Sequence, residues 1–86
     1  MIEPEFDENI PRNRVYVFAG DYKQALEWSH RKGIPYHALH HIHNVERIKG
    51  IERGQTIYLV GSYGTRRDYY EFAAAARIGG HTLVAG

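Results

Sequence analysis

The chain has 86 residues, 43% of them hydrophobic and 24% charged, with a formal net charge of +1 and no cysteine. That composition describes one soluble globular domain and excludes a disulfide scaffold, thiolate catalysis and cysteine-ligated zinc. With a charge so near neutral there is no sustained basic stripe to track a nucleic acid.

Residues 1–13, "MIEPEFDENIPRN", carry Glu3, Glu5, Asp7 and Glu8 and read as an extended acidic arm. They lack the basic and apolar regions of a signal peptide. No later run approaches the roughly 18 apolar residues of a membrane span, so a cytoplasmic protein without membrane contact is expected. Residues 14–86 then form a single domain.

Arg14 to Gly20, "RVYVFAG", is a β-branched and aromatic run closed by glycine, as expected of a strand buried on both faces. Asp21 caps a helix from Tyr22 to Lys32, with Tyr22, Ala25, Leu26 and Ser29 as its inner stripe and Gly33 as its stop. "YHALHHI", introduced by Pro35, predicts a polar edge strand, and Asn44 caps a short helix, "VERIK", stopped at Gly50. "TIYLVG" repeats the character of the first strand. The loop "SYGT" leads into a third helix from Arg66 to about Arg77, and "HTLVA" closes the pattern as a last strand.

Strands alternating with helices imply parallel neighbours joined by right-handed crossovers. The predicted fold is therefore α/β: a small three-layer Rossmann-like domain of four mostly parallel strands, order 2-1-3-4, with three helices. In that order the first helix covers one face alone. Because Tyr16 and Phe18 alternate with Val15 and Val17, and Tyr58 and Val60 with Ile57 and Leu59, one face is expected to be richer in aromatics and partly exposed. A chain this short buries only about 60–65% of its unfolded surface, which favours self-association. Trp28, placed off the inner stripe, joins Tyr63, Tyr69 and Tyr70 in an aromatic surplus, so Tyr16, Phe18, Trp28, Tyr58, Tyr63, Tyr69 and Tyr70 are the candidate interface residues.

Four of the six histidines fall within "HALHHIHN". On a strand they alternate between faces and cannot converge. His41 and His43 would supply two nitrogen ligands where a stable zinc site takes three or four, so no metal and no cofactor are expected. The chain lacks G-x-G-x-x-G and G-x-x-x-x-G-K-[ST], and "VGSYG" lacks the spacing of a nucleophile elbow, so no catalytic residue is assigned. In a parallel sheet a ligand would sit beyond the strand ends, between "AGDY" and "GSYGTRR". There Thr65, Arg66 and Arg67 could hold a phosphate or nucleotide at the third helix's N-terminus. The preferred reading pairs the two arginines with the acidic arm instead.

The segments "VYVFAGDYKQALEW", "VERIKGI" and "IYLVGSYGTRRDYYEF", in this order, resemble the small Rossmann-like proteins of unknown function encoded by phages of actinobacteria. The resemblance covers about Arg14 to Val84. It implies a non-structural phage protein acting in the host cytoplasm and transfers no catalytic residue. Together these readings predict a non-enzymatic, homo-oligomeric interaction module with a host protein as partner, the alternative being a small-anion binder.

Overall fold

The structure, a computed structural model, describes residues 14–86; the expected pairing of the acidic arm lies outside them. Its two most apolar strands, β1 (Val15–Ala19) and β3 (Thr56–Val60), lie side by side, flanked by β2 (Leu39–His41) and β4 (Thr82–Ala85). All pairings are parallel and the order is β2-β1-β3-β4, as the alternating pattern predicts.

Helix α1 (Tyr22–Lys32) begins where Asp21 Oδ1 accepts from the Gln24 N–H at 2.9 Å. It ends at Gly33, whose left-handed φ of 72° lets the following Ile34 N–H reach the Ser29 carbonyl at 2.8 Å. Its buried residues are Ala25, Trp28 and Ser29. The inner stripe is thus rotated from the predicted one: Trp28 faces the sheet, while Tyr22 is exposed.

Helix α2 (Tyr69–Ile78) starts three residues later than predicted, after a 3₁₀ turn at Tyr63–Thr65. The "VERIK" helix is also a 3₁₀ segment, Val45–Gly50. Here the expected glycine stop fails: Gly50 is the last residue of the turn and Ile51 its extended cap. The edge strand is shorter than "YHALHHI" suggests. Tyr36–Ala38 coil into a 3₁₀ turn directly after Pro35, whose ring fixes its φ, and only Leu39–His41 pair with β1.

Two cores result. On one face Phe18, Ile57, Phe72 and Ala76 pack with Ile42, Val45, Ile48 and Ile51, placing α2 and the Val45–Gly50 turn together. On the other, Val17, Ala19 and Val60 pack with Ala25 and Trp28 of α1.

The expected single aromatic face is not formed. The register sets Val17 beside Tyr58 and Tyr16 beside Ile57, so an odd position of β1 shares a face with an even position of β3. Tyr16 and Phe18 therefore lie under α2, and Tyr58 lies with Trp28 under α1.

Candidate functional site

The carboxyl edge of the sheet, where β1 and β3 send their connections in opposite directions, is where an open α/β fold offers a crevice. Two side chains of the chain itself fill it.

The first is Gln24, one turn into α1. Its Oε1 accepts from the Ser62 N–H at 2.9 Å, and its Nε2 donates to Ser62 Oγ at 3.1 Å, tying the loop after β1 to the loop after β3. The carboxamide lies against the Gly20 and Gly61 backbones so closely that a Cβ on Gly61 would collide with Gln24 Oε1. Gly61 also has a φ of 62°, which an L side chain rarely adopts. Ser62 therefore bonds a neutral amide, which offers no base to activate it.

The second is Arg66. It precedes α2 and turns inward over the ends of β1 and β2, with its guanidinium carbon 4.0 Å from the Phe18 ring centroid. All five of its N–H donors are used. Nε donates to Asp68 Oδ1 at 3.0 Å, Nη1 to the Ala19 and Ile42 carbonyls at 3.0 Å each, and Nη2 to the His43 carbonyl at 2.6 Å and Asp68 Oδ2 at 2.9 Å. The side chain is 13% exposed, and the bidentate partner Asp68 is two residues away.

This geometry separates the three proposed anion ligands. Arg66 has no donor to spare, Thr65 Oγ1 donates to the Ser62 carbonyl at 2.7 Å, and Arg67 points outward as an exposed side chain. The inward role of Arg66 was legible only as "RRD", an arginine followed at two positions by a carboxylate, in a loop that must pass the end of β1.

The histidines divide as strand alternation requires. His40 lies on the α2 face, its ring centroid 5.0 Å from that of Tyr16. Its pKa is lowered by burial and then by the charges of Arg14 and Arg47. His41 lies on the α1 face, 7% exposed, 4.7 Å from the His43 ring and 5.9 Å from Tyr22. Neither of its ring nitrogens has a hydrogen-bond partner. Burial, followed by the neighbouring His43, pushes its pKa down to about 4; the Ala19 carbonyl, already accepting from Arg66, opposes only part of this shift. Among the described residues no group of three or more His, Asp or Glu side chains is arranged to hold a metal ion.

The candidate interface residues are scattered. Phe18 is fully buried, stacked on Phe72 at 3.8 Å between centroids, and Trp28 is 4% exposed. Neither presents a surface to a partner. Tyr16, Tyr58, Tyr63 and Tyr69 are half-buried, and Tyr70 is 83% exposed. Tyr36 and Ile78, not singled out from the sequence, are also well exposed. No described helix is long and apolar enough to cross a membrane. Comparison of the chain with protein-family models, curated proteins and solved structures finds no match.

Proposed function

We propose that the chain is a non-enzymatic interaction module that works as a homo-oligomer and binds a macromolecule rather than a small anion. The observation that carries this reading is the filled crevice: Arg66 spends every donor on the chain's own carbonyls and on Asp68, and Gln24 occupies the notch between Gly20 and Gly61. A phosphate entering there would have to displace both and leave carbonyl groups short of donors. What stays available is surface, with aromatic and aliphatic side chains such as Tyr36, Tyr70 and Ile78 turned outward. The resemblance to small phage proteins supports a host macromolecule as partner, met in the host cytoplasm.

Native mass spectrometry of protein purified without added ligand tests this directly, combined with melting curves in phosphate and in nucleoside phosphates. More than one copy per particle is expected, with no melting-temperature rise beyond that of ordinary salt. A saturable nucleotide-dependent rise that is lost in Arg66→Ala, or a strict monomer, would overturn the proposal.

A further inference from the structure

We infer that the exposed edge of β4 is a self-pairing surface, and that a second copy of this chain adds to it antiparallel about a two-fold axis at Val84. This rests on the homo-oligomeric reading above and assigns its contact.

The inference begins with the hydrogen bonds of β4. The Thr82 N–H donates to the Gln55 carbonyl and the Gly86 N–H to the Leu59 carbonyl, both at 2.9 Å. Even-numbered positions thus face β3. Leu83 and Ala85 direct their N–H and C=O groups away from it, and β4 ends the sheet among the described residues. Two outward residues separated by one form a self-complementary set. Antiparallel pairing centred on Val84 places Leu83 opposite Ala85 of the second copy, and Ala85 opposite its Leu83. Each of these pairs exchanges both of its backbone bonds.

Side chains fit the same axis. Leu83 meets the small Ala85 on the α2 face, while Val84 meets its own symmetry mate at the closer, non-hydrogen-bonded position, where β-branched pairs are favourable. Val84 sits beside Tyr58 in the register, on the face that α1 covers chiefly over β1, β2 and β3, and is only half-buried. Pairing therefore joins two half-open apolar strips into one. The edge carries none of the usual protection: Thr82–Ala85 contains no charge and no proline, and its register with β3 is free of a bulge. The opposite edge differs. β2 has three residues, two of them histidines, and Arg14 Nη1 lies 3.3 Å from His40 Nδ1 along it.

Sedimentation equilibrium from micromolar to millimolar concentration, with amide hydrogen exchange at Leu83 and Ala85, tests the assignment. Both amides should exchange about tenfold more slowly once concentration is well above the dimer dissociation constant. Ala85→Pro removes an outward donor without touching the bonds to β3, and Val84→Lys sets like charges face to face; each should give a monomer with an unchanged circular dichroism spectrum. An oligomer that persists in both variants, with fast exchange at Leu83 and Ala85 in the unsubstituted protein, sinks this contact but leaves the interaction module standing. Protection of the two amides that is independent of concentration and lost on deleting residues 1–13 would show the arm, not a second copy, on the edge. A wild-type monomer at every concentration sinks both readings.

Discussion

At the scale of single residues, two side chains set the character of the carboxyl edge. Arg66 holds three backbone carbonyls from two strand ends, a geometry that a planar fork meets and a point charge does not. Arg66→Lys should therefore cost about 2–4 kcal/mol, because it leaves buried carbonyls and Asp68 without partners. Urea unfolding at neutral pH measures this, and a loss below 1 kcal/mol, about that of an exposed pair, would show the bonds to be incidental. His41 sets a pH dependence. Its folded pKa of about 4 lies below the ordinary 6.5, so between these values the unfolded chain binds the extra proton. Stability is then unaffected above about pH 6.5 and falls as pH drops toward 4, by about 3 kcal/mol in the limit. His40, shifted in the same direction, adds to the fall. His41→Leu should flatten most of that slope in thermal melts from pH 7 to 4; an unchanged slope would mean that His41 titrates normally.

At the scale of elements, the strands and their order were legible because β1 and β3 are continuous apolar runs, and the helix between them carries a cap at each end. What the pattern missed came from contacts distant in sequence. The stretch "YHALHHI" reads as a weaker, more polar strand at an edge. Yet only three residues reach β1, and the rest coil after Pro35. Trp28 was placed off the core because the buried stripe is rotated by a fraction of a turn from the predicted one. The spacing Ala25, Trp28, Ser29 is also an i, i+3, i+4 stripe, and the larger ring wins the core, packed 5.2 Å from Tyr58. The parity of the two central strands is set by register, which no single strand contains, so the aromatic residues could not be assigned to faces from the sequence. Arg66 was assigned to a helix start, paired with the acidic arm or, as the alternative, with an anion; arginine is rarely buried, and its full set of bonds is what makes the inward placement stable.

At the scale of the whole molecule, the feature with the widest consequence is that every strand pair is parallel. The partners in each pair are at least 24 positions apart in sequence, and the central pair, Tyr16 with Ile57, is 41 apart. Among the described residues no hairpin exists to nucleate the sheet, so chain-closure entropy must be met before any of these ladders forms. Refolding should therefore be slow for so short a chain, in the range of milliseconds to seconds rather than microseconds, as stopped-flow fluorescence of Trp28 would report; a microsecond phase carrying the full amplitude would contradict it. During that interval the apolar strands are exposed together and unpaired. The order of synthesis sharpens the point: β1 leaves the ribosome before β3, its central partner, and over that span its run from Val15 to Ala19 has α1, β2, the Val45–Gly50 turn or a chaperone to shelter it.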